Sequence, residues 1–535
     1  MNKAVVQSSE RAPRALGLVR GHAVRPAAAA LPLLLALALW LALFYKLGGF
    51  PLFDVDEGAF SEATREMLER GDFVTTTLNG NLRFDKPILV YWLQSLSVTL
   101  FGVNEFAFRL PSALAGVGWI AAILVFTRQH SDRASAYAAA LIAATSLGVG
   151  VIGRGATADA LLNLFLSLTL FDIHRYMTQP LARYRRRAYL WMGLGMLTKG
   201  PVALLIPFAV STLTFGVQGQ WRQWARALLD PLGWLILLAV AAPWYVLEYQ
   251  REGEAFIAGF FLRHNVERYL SPLHGHSGNL LYYLPALLFL LLPYSGLFLR
   301  VLPGARKLRA SRLDTFLWCW FGFVLVFFSF AGTKLPHYML YGVTPLFVLM
   351  ALRREQLASR ALAFAPPLLW LAAVIALPYA LQLAAPGLRD PYLREALGRG
   401  EVFGAAYHLG AALLMLALLT LLCLPWLALW HKLIGAGLLC AFASAGLVLP
   451  ALAELQQGPV KEAALFARAG GLQVRSWRFN VPSFSVYRGE ATLVAGSLRP
   501  GEVVLTRSSE LPFIGPVQVL YRKGGVLLVR IPDQP

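Results

Sequence analysis

The chain has 535 residues, 57% of them hydrophobic and only 14% charged, with a mean hydropathy of +0.57. That balance excludes an ordinary soluble domain, and the length is sufficient for many membrane-spanning helices. The net charge of +19 is carried by short Lys and Arg clusters between apolar runs, which is a membrane-topology pattern, so no nucleic-acid partner is expected.

The basic start, with Lys3, Arg11, Arg14, Arg20 and Arg25, precedes an apolar run from Ala27 to Tyr45. It is long enough to span a bilayer and has no A-x-A cleavage site after it, so it reads as a retained first helix with its start in the cytoplasm. Residues 48–105 then form a long non-spanning segment. Within it, Asp56 can cap a helix whose apolar positions Ala59, Phe60, Ala63, Met67 and Leu68 make one stripe, and Gly71 is placed to end it. The spacing predicts a helix lying on the membrane surface, followed by a second interfacial helix over Ile88 to Phe101.

Further spans are expected over Leu110–Phe126, Ala134–Ile152, Ala160–Tyr176, Ala188–Leu197, Val202–Val217 and Leu232–Tyr249. After a second polar stretch at 250–279 come Leu280–Leu299, Thr315–Ala331, Tyr338–Leu352, Leu362–Leu381, Leu409–Trp430 and Leu433–Leu452. By apolar length the total is about thirteen. Cys319, Cys423 and Cys440 lie inside such runs and offer neither a disulfide framework nor zinc spacing.

Arginine and lysine clusters at 128–133, 175–187, 222–226, 300–312 and 353–360 fall in every second loop, which makes those loops cytoplasmic. The alternate loops carry the Asp54 segment, Gly153 to Asp159, Thr198-Lys199-Gly200-Pro201, residues 251–279 and Gly332 to His337. The motif-bearing loops are thus expected on one, non-cytoplasmic side. Apolar spans stop near Gln456, and alternating runs at Leu472–Trp477, Ser483–Tyr487, Val503–Thr506, Val517–Tyr521 and Val526–Ile531 predict strands, with a helix over Glu462–Ala469. The expected organisation is a membrane domain over 1–455 and a small soluble α/β domain over 456–535 on the same side as the motifs.

Asp56 and Glu57 sit where the first span has just ended, and Asp159 lies in a second turn on the same side. They are either solvated loop carboxylates or parts of one site, and their convergence favours a site. Lys86, Lys199 and Lys334 occupy outer loops next to Pro or Gly or one residue from it, with Arg263 and Arg268 in Arg263-His264-Asn265-Val266-Glu267-Arg268-Tyr269. Cations there run against the topological bias. They either snorkel to headgroups or bind lipid phosphates through charge-assisted hydrogen bonds. His264, His274, His276 and His337 with Asp85 offer metal ligands, but no spacing singles out a zinc site. Tyr269, Tyr282, Tyr283, Tyr338 and Tyr341 read as interface-belt aromatics that can also flank a lipid groove.

Taken in order, Asp56-Glu57, Phe84-Asp85-Lys86-Pro87, Leu197-Thr198-Lys199-Gly200-Pro201, Arg263-His264-Asn265 with Glu267-Arg268-Tyr269, and Thr333-Lys334-Leu335-Pro336-His337-Tyr338 resemble the bacterial lipid A aminoarabinose transferases. These belong with the protein O-mannosyltransferase-like GT-C glycosyltransferases, and the resemblance runs from Ala27 to about Leu452. It implies a polytopic α-helical inner-membrane enzyme of GT-C type, with its active site and a small C-terminal domain in the periplasm. It also implies inverting transfer of 4-amino-4-deoxy-L-arabinose from undecaprenyl phosphate to a lipid A phosphate. On that resemblance Asp56 matches an essential first-loop aspartate, and Lys86 and Arg268 lie around the donor phosphate; from the residue reading above, Glu57 and Asp159 join Asp56 as catalytic candidates, Lys199 and Lys334 join the phosphate-binding set, and Tyr269, His337, Tyr338 and Tyr341 are the substrate-pocket candidates. No cofactor is assigned, and the resemblance is compatible with a divalent metal at Asp85 and His264. The family often carries glutamate where this chain has Asp85. A related transferase with another sugar or a protein hydroxyl acceptor is the nearest alternative. A transporter of lipid-linked substrates is a remoter one, since it should expose determinants on both faces.

Overall fold

The computed structural model describes residues 30–271, 278–309 and 311–533, without the side chains of residues 265, 266 and 268. The basic stretch before residue 30, and His274 and His276, therefore lie outside the described residues.

The first apolar run forms α1 (Ala30–Leu39), prolonged by a π-helical turn over Trp40–Phe44. Arg154 closes its end, donating from Nη1 to Ala42 O at 3.2 Å and from Nη2 to Tyr45 O at 2.5 Å. Those carbonyls have no partner within the helix, so a buried guanidinium replaces water there. The first loop then carries α2 (Asp56–Arg70), the hairpin β1 (Thr77–Leu78) and β2 (Asn81–Leu82), and α3 (Leu89–Phe101). Gly71 ends α2 at φ 64°, the left-handed conformation glycine adopts at little cost. Val55 occupies the cap position and Asp56 is the first helical residue, so Asp56 is not the cap that its spacing suggests.

One of the two helix expectations for this loop changes. A helix on a membrane surface should expose its polar face, yet α2 is buried continuously from Glu57 to Met67, including Glu62, Arg65 and Glu66. The C-terminal part of the chain covers that face, where Arg65 donates to Gly489 O, and the other polar groups are satisfied within the first loop: Arg65 donates to Glu62, while Glu66 accepts from Thr77 and from Gly80 N. The helix α3, by contrast, exposes Trp92, Leu96, Leu100 and Phe101 along one side, as an interfacial helix does.

The bundle follows as α4 (Glu105–His130), α5 (Arg133–Thr145), α6 (Leu147–Ile152), α7 (Asp159–Thr178), α8 (Ala182–Lys199), α9 (Val202–Val217), α10 (Trp221–Leu228) and α11 (Pro231–Glu252). Asn104 and Asp132 cap α4 and α5 by accepting from Ala107 N and Ser135 N. The helix α7 packs against α4, α8 and α9, and α8 also packs against α11. Short helices α12 (Glu254–Phe256) and α13 (Arg268–Leu270) flank a π-helical stretch over Ile257–Glu267. The chain continues through α14 (Tyr283–Leu290), α15 (Ser295–Val301), α16 (Arg312–Phe330), α17 (Thr344–Leu352), α18 (Arg360–Ala384), α19 (Pro391–Leu397), α20 (Ala405–Cys423), α21 (Leu429–Ala443) and α22 (Leu449–Ala469).

Among the described residues six helices are long and apolar enough to cross a membrane, or seven with a bent pair counted as one span. The count of about thirteen from apolar runs is therefore not reproduced by helix length, because several runs are broken or buried. The run Leu280–Leu299 bends by 119° between its two helices. Pro293 has no N–H to continue the ladder, and Leu292 O is taken by Leu147 N at 2.9 Å. The run Tyr338–Leu352 begins as a 3₁₀ turn over Pro336–Gly342 before α17, and α17 is buried from Thr344 to Ala351, so it packs inside the bundle.

At the C-terminal end α21, a π-helical turn over Ser444–Val448 and α22 make one helical stretch of 41 residues. The boundary expected at 455 falls inside it. Beyond it lie β3 (Val474–Ser476), α23 (Ser483–Arg488), β4 (Val503–Arg507), β5 (Gln518–Lys523) and β6 (Val526–Arg530). The sheet order is β3-β4-β6-β5, with β3 parallel to β4 and the other pairs antiparallel. Val460, Ala463, Ala464 and Ala467 of α22 pack with Val474, Phe484, Val503, Leu505, Val526 and Leu528 as its core. Ser483–Tyr487 was expected as a strand and is a helix. Pro482 precedes it, Gly489 ends it at φ 84°, and both alternating sets of side chains are buried, which a half-exposed strand would not allow.

Candidate active site

The site begins with two anchors on either side of Asp56. Glu57 is buried and accepts from Arg109 Nε at 2.9 Å, Arg109 Nη2 at 2.7 Å, Phe53 N at 2.8 Å and Ala156 N at 2.7 Å. Burial alone would raise its pKa, but the Arg109 charge and these hydrogen bonds outweigh burial and lower it. Asp54 is held from the other direction. Its carboxylate accepts from Ser483 N at 3.0 Å and from the Ser483 hydroxyl. In the amide orientation that satisfies both groups, Gln457 of α22 donates to Asp54 Oδ2 at 3.0 Å and accepts from Asp54 N at 3.2 Å. Burial pushes Asp54 up to about 7, with Ser483 opposing the shift and Glu57 adding to it. Between the anchors, Val55 and Asp56 are exposed.

Further along the loop, Asp85 accepts from Lys86 Nζ at 2.6 Å and Arg83 Nη2 at 3.0 Å, with His264 Nδ1 at 3.0 Å. Burial works against ionisation here as well, but Lys86, then His264 and Arg83, hold the carboxylate well below its usual range. Arg83 also feels the charge of Asp56 and lies over the Phe60 ring, so it links the α2 start to the Asp85–Lys86 turn.

The second cluster assembles from helix ends. Asp159 opens α7 and Lys199 closes α8; Lys199 Nζ donates to Asp159 Oδ1 at 2.6 Å, and Tyr341 OH donates to the same oxygen at 2.6 Å. His337 Nε2 lies 3.9 Å from it. Both clusters border a cavity of about 460 Å³ lined by Asp85, Lys86, Lys199, His264, Tyr269 and Tyr338, with Tyr341 and apolar side chains of α9 and α16. The lining thus combines cationic and hydrogen-bonding groups with apolar side chains, which suits a phosphate carried on a hydrocarbon chain.

The cavity gathers Lys86, Lys199, Asp85, His264, Tyr269, Tyr338 and Tyr341, with Asp159 and His337 behind it. Asp56 is outside the lining, across Arg83. Glu57 faces away, saturated by Arg109 and backbone N–H groups. Lys334 Nζ donates to Ser329 O at 2.7 Å and Ala331 O at 2.8 Å, closing the end of α16 instead of pointing into the cavity. The Arg268 side chain lies outside the described residues. Arg83, Arg109, Gln457 and Ser483 stand outside the motifs read from the sequence, where Asp54 figures only as the start of its segment. Only Arg83 carried a signal, as a cation two residues before Asp85 in an outer loop. As a divalent-metal site, Asp85 and His264 are a poor donor set. Two cations already engage the carboxylate, and no group of three His, Cys, Asp or Glu donors occurs among the described residues.

A family model described as dolichyl-phosphate-mannose-protein mannosyltransferase matches residues 85–246. The crystal structure of ArnT from Cupriavidus metallidurans bound to undecaprenyl phosphate matches with a TM-score of 0.78 over 94% of this chain and 98% of that one, at 21% identity. The chain shares the fold of that structure, a polytopic helical membrane architecture. The undecaprenyl phosphate-alpha-4-amino-4-deoxy-L-arabinose arabinosyl transferase of Yersinia enterocolitica is 33% identical over 337 residues, covering 61% of this chain and 59% of that protein. An uncharacterized protein of Aquifex aeolicus is 32% identical over 301 residues, covering 56% of this chain and 67% of its own length. The chain belongs to one family with the Aquifex protein, and it is similar to the Yersinia arabinosyl transferase over a region that spans under two thirds of that protein's length.

Proposed function

We propose that this protein is an inverting glycosyltransferase that moves 4-amino-4-deoxy-L-arabinose from undecaprenyl phosphate to a lipid A phosphate. The observation that carries the reading is the cavity in which Lys86 and Lys199 meet an apolar wall, joined to the similarity with the Yersinia arabinosyl transferase. When the sugar–phosphate bond breaks, negative charge grows on the departing lipid phosphate. Fixed ammonium groups aimed at the phosphate stabilise that charge without reorganising. A lipid A phosphate is already ionised near neutral pH, so the acceptor requires no strong base, and Asp56 orients the acceptor or the donor amine. Tyr269, Tyr338 and Tyr341 pack the sugar and the first part of the chain.

On this reading the first loop and the unit formed by residues 456–535 face the periplasm, with the N-terminus cytoplasmic. The arginine clusters support that orientation: Asp172, paired with Arg175 at 2.8 Å and with Arg187, lies toward the other end of α7 from Asp159.

The test is transfer in proteoliposomes from undecaprenyl-phosphate-aminoarabinose to lipid A, read by mass spectrometry, for the wild type and Asp56→Asn. Transfer by the wild type and a loss of about 10²–10³ in Asp56→Asn is expected. Wild-type turnover by Asp56→Asn removes Asp56 from the mechanism. A second reading, with a protein hydroxyl as acceptor and Asp56 as a true base, draws on the mannosyltransferase family match. It is favoured if lipid A stays unmodified while an acceptor peptide is glycosylated.

A further inference from the structure

The part of the chain beyond α22 touches the first loop at several places. Tyr487 OH accepts from Leu52 N at 2.8 Å, Asn79 Oδ1 accepts from the Ser485 hydroxyl at 2.7 Å, and Arg65 donates to Gly489 O at 3.1 Å. These contacts dock one unit on the other. The contact at Asp54 differs in place and in tightness. It lies two residues from Asp56, and it uses both carboxylate oxygens, which Ser483 and Gln457 hold from separate elements. The packing is closed around it: a Cβ at residue 58 would lie 1.9 Å from Asp54 Oδ1 and 2.6 Å from Ser483 N, so only glycine lets α2 start here.

Asp56 is thus suspended over a three-residue interval. Its trailing neighbour, Glu57, is fixed to Arg109 and Ala156 N in the membrane bundle. Its leading side is fixed at Asp54 to Ser483 and Gln457, more than 400 residues away in sequence. Within the loop, Phe53 N donates to Glu57 and Ala59 N to Val55 O, so the turn is closed on itself, and the Asp54 contact is what ties it to the C-terminal part of the chain. Fixing both ends leaves little freedom, and a displacement of about 1 Å at a reacting group can cost on the order of 10²-fold in rate.

We propose that the C-terminal unit sets the position of Asp56 by clamping Asp54, which makes Asp54, Ser483 and Gln457 positioning residues for transfer. The inference rests on the role given to Asp56 above. It makes residues 456–535 part of the catalytic apparatus, beyond serving as an attached module.

The test is a kinetic double-mutant cycle of Ser483→Ala and Asp56→Asn in proteoliposomes, with Asn79→Ala as a docking control remote from Asp56. Ser483→Ala lowers kcat about ten- to a hundredfold in the otherwise wild-type protein, leaves the donor KM within about twofold, and adds no further loss to the residual rate of Asp56→Asn. Ser483→Thr, which keeps the hydroxyl, restores most of the rate, and Asn79→Ala keeps wild-type kcat. Equal fractional losses in the two backgrounds, or wild-type kcat in Ser483→Ala, overturn the proposal. Should Ser483→Ala fail to yield folded protein, Gln457→Leu is read in the same cycle against the same outcomes. Full activity of Asp56→Asn instead overturns the role of Asp56 itself, and the two failures are told apart by which single variant is silent.

Discussion

Arg109 of α4 donates from Nε and Nη2 to the two oxygens of Glu57, at 2.9 and 2.7 Å, and its Nη1 donates to the carbonyls of Leu47 and Phe50. One guanidinium thus ties the end of the first helical segment, the start of α2 and the bundle together. Glu57 is therefore a strut, and the adjacent Asp56 owes its place to it.

Removing one partner of this pair leaves an uncompensated buried charge. Arg109→Ala is expected to cost about 3–5 kcal/mol and to abolish accumulation of folded protein. Glu57→Gln keeps acceptor capacity for Phe53 N and Ala156 N and should cost less. Fluorescence-detected size exclusion of the two variants, beside their activity, checks the order. Equal folding of Arg109→Ala and the wild type would contradict the strut.

Lys86 and Lys334 were read alike from sequence, but only Lys86 borders the cavity. Lys86→Met should lower kcat by about 10²–10³. Lys334→Met removes two hydrogen bonds to the end of α16 and should lower stability by about 1–3 kcal/mol while leaving kcat of the folded fraction near wild type. Steady-state transfer and thermal melts on both variants separate these roles.

Tyr341→Phe takes one donor from the buried Asp159 carboxylate and one acceptor from Lys199. A hydrogen bond to a charged group contributes about 1.5–3 kcal/mol, so transfer should fall about ten- to a hundredfold with the protein still folded. Unchanged kinetics would mean that the Asp159–Lys199 pair does not depend on the phenol.

The pH dependence of stability has a definite sign at Asp54. Its pKa is raised by burial from 3.8 to about 7, so across that window the native protein holds a proton that the unfolded chain has released. Stability is therefore greatest below the ordinary carboxylate pKa, falls as pH rises toward about 7, and levels off above it. Glu62, also raised to about 7 by burial, acts in the same direction. Asp85 and Glu57, whose pKa values are lowered, act oppositely, losing their stabilisation only as pH falls through their low native values. Thermal unfolding in detergent at about pH 5.5 and about pH 8 should show a smaller decline for Asp54→Asn than for the wild type. Parallel declines would place the raised pKa elsewhere.

The sequence by itself determined the membrane class, the presence of a C-terminal part with short alternating runs, though its start lies beyond the helix that ends at Ala469, and the collection of Lys86, Asp159, Lys199 and His337 at one end of the bundle. Apolar length and charge are local properties, and helices that alternate direction bring every second loop to the same end. The tertiary structure alone decided that α2 is buried, that Ser483–Tyr487 is helical, that the run around Pro293 is broken, and that Glu57 and Lys334 serve the scaffold. Each of these turns on what covers a residue from far away in the chain. Asp54 and Ser483 are 429 residues apart, and neither has a neighbour in sequence that announces the other. A carboxylate bound by a distant serine and one facing substrate look alike until packing gives each its partner.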